Sequence, residues 1–182
     1  MPKSVGFKWV GLAMPIRKLI TTFAPPTLTT FFTLITFPDM RVTLQRINQA
    51  VRFEGSNAAG NTVILEGSPD IGGEGQGVRP MELLLLSLAS CSSMDVATIL
   101  KKMRQPIDDL RVEVDGERTT GEVPAVFKKI HLHFYFKGQI RPDRAEEAIR
   151  LSVGKYCSVA RMLEKTAEIT WEYEIEEGMP VI

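Results

Sequence analysis

Cysteine is scarce in this chain of 182 residues, which has two, Cys91 and Cys157. Two thiols cannot staple a small secreted domain or fill a zinc tetrad by themselves, so any thiol chemistry is catalytic or redox in kind. An excess of charge of one sign is also lacking, because 22 basic residues are balanced by 22 acidic ones. That balance excludes a polybasic nucleic-acid binder, and a hydrophobic content of 44% excludes extended disorder. No internal repeat, no Ser/His/Asp arrangement and no aromatic-basic stripe is found. What remains is a chain sized for one globular domain with a sizeable core, plus an appendage.

The appendage is marked by where acids are missing. Residues 1–39 carry Lys3, Lys8, Arg17 and Lys18 against Asp39 alone, and Leu19 to Phe37 is an uncharged run of nineteen residues. The run is long enough for a membrane span, but Pro25-Pro26 and seven threonines interrupt it. It has the basic start of a targeting peptide without a small-x-small cleavage site. The expectation is an extension from a start placed upstream of Met40, or a disordered or cleaved segment. No membrane anchor is expected, and the domain proper spans residues 40–182.

From Met40 the pattern alternates. Val42–Phe53 has strand composition, the turn-rich stretch Glu54–Asn61 follows, and a strand resumes at Thr62, which predicts a hairpin. Gly67–Arg79 holds five glycines and reads as a mobile connection. Its GGEGQG matches neither the dinucleotide fingerprint nor the P-loop. Pro80 then suits the first turn of a long helix that ends before Pro106, with Lys101, Lys102 and Arg104 at the negative end of its dipole. This helix is apolar on nearly every face, which predicts burial at the centre of the protein or in a subunit interface. Strands are expected at Leu110–Glu117 and Phe127–Lys137, a second helix over Asp143–Thr166, and a last strand over Ala167–Ile175. In that last strand Ile169, Trp171, Tyr173 and Ile175 alternate with Glu168, Thr170, Glu172 and Glu174, the pattern of an antiparallel sheet with one wet face. Helices segregated from sheet in this way give an α+β fold.

Both cysteines fall on the expected helices. At 100° per residue Cys91 shares a face with Leu84, Leu88, Met94 and Asp95, and Cys157 shares one with Val153, Gly154, Ala160 and Arg161. Gly154 leaves room for another backbone to come close. A single cysteine in such a place is an inert small hydrophobe more often than not. His131 and His133 point to one side of a strand, where two imidazoles can share a metal, although half-exposed histidines on a sheet face are the commoner case. Glu146 and Glu147 read as a solvated helix face, with Arg150 four residues beyond Glu146.

The segments GVRPMELLLLSLASCSSMDV and KYCSVARMLEK resemble the two cysteine segments of the OsmC/Ohr family. Pro80 and Cys91 keep that family's proline-to-cysteine spacing, and FKKIHLHFYFKG resembles the strand before the second cysteine. The similarity spans about Arg41 to Glu176 and falls in the YhfA-like branch. The resemblance implies an intertwined homodimer with antiparallel sheets wrapped around two central helices. It also implies a cytoplasmic thiol-dependent peroxidase that reduces organic hydroperoxides with an external dithiol, without metal or flavin. Carried over by position, Cys91 is the peroxidatic and Cys157 the resolving cysteine.

Peroxidase members of the family set a glutamate ten residues before the first cysteine, and there this chain has Met81, with Glu82 next. Glu82 is therefore the candidate partner of an activating arginine, although on an ideal helix it lies about 180° from Cys91. For the arginine, Arg52 is the first candidate and Arg46 the second. The family's proline after the second cysteine is Ser158 here. Two functions stand: the peroxidase, favoured by the retained cysteine pair, and a non-enzymatic dimer of the same fold that binds a small apolar ligand, favoured by Met81.

Because the appendage lies outside the resemblance, a chain starting at Met40 is expected to stay soluble and dimeric in size-exclusion chromatography. Its aggregation beside a folded full chain would overturn that.

Overall fold

The structure, a computed structural model, describes residues 40–176, and the extension expected over residues 1–39 lies outside them. Three short strands come first: β1 (Val42–Arg46), β2 (Arg52–Asn57) and β3 (Thr62–Glu66), antiparallel in the order β1-β2-β3. The single strand expected over Val42–Phe53 is thus two. Asn48 makes the break, because its Oδ1 accepts the N–H groups of Ala50 and Arg52, both at 3.0 Å, and so replaces ladder bonds with a local turn. The expected turn at Glu54–Asn61 shrinks in the same way. Asn57 Oδ1 accepts from Ala59 and Asn61, and Gly60 supplies the left-handed residue at φ +83°.

The glycine-rich connection is pinned rather than mobile. Gly67 N–H bonds to Val51 O, Gly73 N–H to Ser68 O, and a single 3-10 turn spans Pro69–Ile71. A Cβ on Gly73 would sit 2.0 Å from Gly67 O, which only glycine avoids.

Helix α1 (Pro80–Lys102) starts with proline at its first position, and Glu82 Oε2 accepts the Arg79 N–H at 2.9 Å, closing an otherwise orphaned donor. It ends short of Pro106, because Arg104 turns left-handed at φ 59° and Gln105 N–H closes on Leu100 O at 3.0 Å. Leu88, Ser92, Val96 and Leu100 form one fully buried stripe at four-residue spacing. Elsewhere along the helix Leu84, Leu86 and Met94 are 40%, 52% and 69% exposed, so the described residues cover only part of this apolar helix. By length and composition alone α1 could cross a bilayer, yet here it packs against the second sheet and the later helices.

The second sheet holds β4 (Asp109–Arg118), β5 (Phe127–Lys137) and β6 (Glu168–Glu176) in the order β4-β5-β6. Its inner face, with Ile130, Leu132, Phe134 and Phe136 almost wholly buried, is the core against which α1 and the later helices pack. Gly116 in β4 is required by that packing, since a Cβ there would lie 2.5 Å from the Phe127 ring. The expected alternation of β6 is present, but β6 pairs parallel to β5, not antiparallel. A helical crossover between the strands returns the chain in the same direction, and because it covers only one face the other stays wet.

That crossover is not the one helix expected over Asp143–Thr166. It consists of α2 (Pro142–Leu151), a π-helical turn at Ser152–Tyr156, and α3 (Ser158–Leu163), with Cys157 in extended backbone between the last two. The π turn adds one residue per turn and moves the register of everything beyond it relative to an ideal helix. Among the described residues nothing lies within 4 Å of where a Cβ on Gly154 would be, so Gly154 serves no close approach between them.

Candidate functional site

The two sulfurs come from opposite kinds of backbone. Cys91 lies mid-helix on α1, half-buried, whereas Cys157 caps α3 and is fully buried. Cys157 N–H closes the π turn on Ser152 O at 2.9 Å, and its sulfur accepts the Ala160 N–H at 3.4 Å. The distortion thus presents the Cys157 sulfur at a helix N-terminus, aimed at α1. There, Cys91 Sγ, Cys157 Sγ and a carboxylate oxygen of Asp95 all lie within 4.8 Å of one another, and both thiols are free. Among the described residues this is the grouping that gathers three potential metal-ligating side chains.

Ser152 ties the assembly together. Its buried hydroxyl donates to Ser92 O at 3.1 Å and lies 3.4 Å from Asp95 Oδ2, so the π turn is fastened to α1 between the two residues that face Cys157. A serine in an apolar helical stretch gave no signal in the sequence, because its role depends on the π turn.

Burial pushes the Cys157 thiol up to about 11; the Ala160 N–H opposes this, and neighbouring Cys91 adds to it. At neutral pH it is a protonated thiol, protected from solvent. Cys91 is the less buried of the two.

The structure places the other expected residues elsewhere. Glu82 is exposed and spent on capping its own helix, and nine residues of α1 set it about 13 Å along the axis from Cys91. Met81 packs against the core. Arg52 Nε binds Glu66 Oε1 at 3.0 Å, and its Nη2 binds Glu74 in the glycine-rich loop. Among the described residues neither Arg52 nor Arg46 bonds to a sulfur. Glu66, only 2% exposed, also accepts the Gln76 N–H at 2.6 Å. Burial pushes its carboxyl up, but the Gln76 and Glu74 N–H groups and the Arg52 guanidinium outweigh that and hold it below the usual carboxylate range. This buried glutamate was not singled out in the sequence, where it looks like the polar end of a strand.

His131 and His133 do share a face, with Glu172 between them at 3.4 and 3.1 Å. His133 also stacks on Tyr135, and its Nε2 lies 3.3 Å from Glu174 Oε1 but off the line of a hydrogen bond. The pair belongs to the charged outer face of the sheet. Glu147 binds Arg144 at 2.8 Å, as a solvated helix face does.

The chain is similar to known proteins in sequence and fold. The family model for OsmC-like protein matches residues 73–172. Protein YhfA of Escherichia coli strain K12 is 39% identical over 128 residues, 70% of this chain and 92% of YhfA. The crystal structure of a hypothetical protein from Aquifex aeolicus VF5 is similar with a TM-score of 0.63 at 32% identity, covering 76% of this chain and 98% of that one. The organic hydroperoxide resistance protein OhrB of Bacillus subtilis is similar with a TM-score of 0.55 at 19% identity, covering 74% and 97%, a likeness of fold.

The Cys157 environment generates a pH prediction. A folded-state value of about 11, above the roughly 8.5 of a free thiol, means that the unfolded chain loses this proton first as pH rises. Stability contributed by the protonated thiol is complete below about pH 8.5 and is lost progressively toward pH 11. Urea unfolding of the reduced protein should show that decline, and Cys157→Ser should flatten it.

Proposed function

The chain belongs to the OsmC-like family, and from that premise we propose that it is a thiol-dependent peroxidase for organic hydroperoxides, acting as a homodimer. The observation that carries this reading is the meeting of two free sulfurs within 4.8 Å from elements far apart in sequence. A disulfide needs about 2.05 Å between sulfurs, so side-chain rotation and a small shift close the gap.

The difference in burial assigns the roles. Cys91, the less buried sulfur, attacks as thiolate the distal oxygen of ROOH. The O–O bond breaks, RO⁻ leaves and takes a proton as the alcohol, and Cys91 becomes a sulfenic acid. Cys157 then attacks the Cys91 sulfur. The S–S bond forms, and hydroxide leaves with the Cys157 proton as water. An external dithiol restores both thiols by exchange. No metal or flavin enters this cycle, and the reducing cytoplasm that supplies dithiols is the matching compartment.

Leu84 and Met94, the partly exposed apolar residues on the Cys91 face, give an alkyl chain an apolar approach, which favours organic peroxides over hydrogen peroxide. The exposed Leu84, Leu86 and Met94 of α1, with Val42 and Leu44 of β1, are the apolar surface that a second copy would cover. Arg52 and Glu82 enter only as candidates for an activating pair, with Arg52 freed from Glu66 and Glu74. Their present engagements are the observation that favours the alternative, a ligand-binding dimer with idle cysteines.

Two measurements test this. Stoichiometric cumene hydroperoxide should convert the reduced full chain to a Cys91–Cys157 disulfide. Cys157→Ser should stop at a sulfenic acid trapped by dimedone, and Cys91→Ser should consume no peroxide above background. Equal consumption by Cys91→Ser and the natural chain leaves the ligand-binding dimer as the account. Sedimentation should show a dimer at micromolar concentration, and a folded monomer there contradicts the assembly.

A further inference from the structure

The peroxidase cycle uses both sulfurs of the cluster and gives Asp95 no task. A carboxylate within 4.8 Å of two sulfurs opposes the build-up of negative charge on them, the reverse of what an unaided thiolate nucleophile calls for. A cation placed among the three groups changes the sign of that interaction. We propose that the reduced site binds one zinc-class divalent cation through Cys91 Sγ, Cys157 Sγ and a carboxylate oxygen of Asp95.

The geometry suits this ion. A tetrahedral zinc at about 2.3 Å from sulfur and 2.0–2.2 Å from oxygen separates its ligand atoms by about 3.5–3.8 Å. The present limit of 4.8 Å exceeds that by about an ångström, within reach of side-chain rotation alone. Cys91 and Asp95 stand one turn apart on the same face of α1, and the rigid cap of α3 brings the third ligand to them. Behind the carboxylate is an outer support, the Ser152 hydroxyl at 3.4 Å from Asp95 Oδ2. Two thiolates select soft or borderline metals and disfavour magnesium or calcium. Cys91 and Asp95 are only half-buried, so water can complete the tetrahedron.

The ion site stands on these ligands alone, whereas its consequence rests on the peroxidase reading. Metal-held sulfurs are withdrawn from attack, so cation and hydroperoxide compete for the same reduced pair. Two thiolates, one ROOH and two protons give the disulfide, ROH and water, and the cation is released because its sulfur ligands are gone. The cluster then reports both metal supply and oxidant.

The test titrates zinc into the reduced, chelator-stripped full chain against a chromophoric zinc indicator. One zinc per chain is expected in the natural protein. Binding should fall by about tenfold or more in Asp95→Asn, and should be abolished in Cys91→Ser/Cys157→Ser and in protein oxidised with diamide. Cobalt gives a readout that needs no variant: a sulfur-to-cobalt charge-transfer absorption in the reduced natural chain. Absence of that absorption overturns the site, as does zinc binding no tighter than in the double serine variant, or Asp95→Asn that keeps its fold by circular dichroism and binds as the natural chain does. Cumene hydroperoxide consumption, measured on the metal-free protein in parallel, separates the two ideas. Consumption without zinc binding overturns the site alone, and zinc binding without consumption supports the site and overturns the peroxidase.

Discussion

The Ser152 hydroxyl is the contact on which the site depends. It reaches from the π turn to the Ser92 carbonyl on α1, with Asp95 beside it, and both serines are fully buried. A buried hydroxyl without a partner costs roughly 1–3 kcal/mol. The turn therefore docks in the one register that satisfies it, and that register carries Cys157 to the side of α1 that bears Cys91. An uninterrupted helix would have placed residue 157 on a different face, since each extra residue per turn rotates the remainder of the helix by about 100°. The irregular turn is what turns two isolated thiols into a pair.

A second constraint lies in the small sheet. Glu66 is buried at the end of β3 and needs compensation, which Arg52 and the Gln76 N–H provide. Arg52 also reaches Glu74, so one guanidinium fastens the glycine-rich loop to the sheet just ahead of α1. The same arginine cannot simultaneously serve a thiolate. Its commitment to Glu66 and Glu74 ties the loop to the sheet, while the carboxylate of Asp95 stands within 4.8 Å of both sulfurs.

The sequence was most readable where periodicity and packing agree. The long helix from Pro80, the strand at Phe127–Lys137 and the alternating last strand follow from apolar spacing, because one buried face per element imposes it. Both cysteines were identifiable from their segments, and the structure brings them together. The features that stayed hidden depend on local polar chemistry. The Asn48 turn that splits the first strand, the π turn that breaks the second helix and the parallel pairing of β6 leave the hydrophobic pattern unchanged. Glu82, chosen by adjacency in sequence, proved to be a cap, which is the ordinary use of a glutamate three residues into a helix. Arg52 lies in the expected hairpin, and its partner Glu66 could be assigned only once β2 and β3 were in register, with Arg52 opposite Glu66.

The position of the sulfurs in the topology bears on stability as well. Between Cys91 and Cys157 run the rest of α1, all of β4 and β5, α2 and the π turn, while β6 lies outside. Any link between the two sulfurs, covalent or through a shared ion, would close that stretch into a ring, and closing a loop of this length removes on the order of 4 kcal/mol of chain entropy from the unfolded ensemble. By the same cycle the folded protein raises the effective concentration of one sulfur at the other. Resistance to heat and the redox or ligation state of the pair are therefore thermodynamically linked, so that a shift in either must appear in the other.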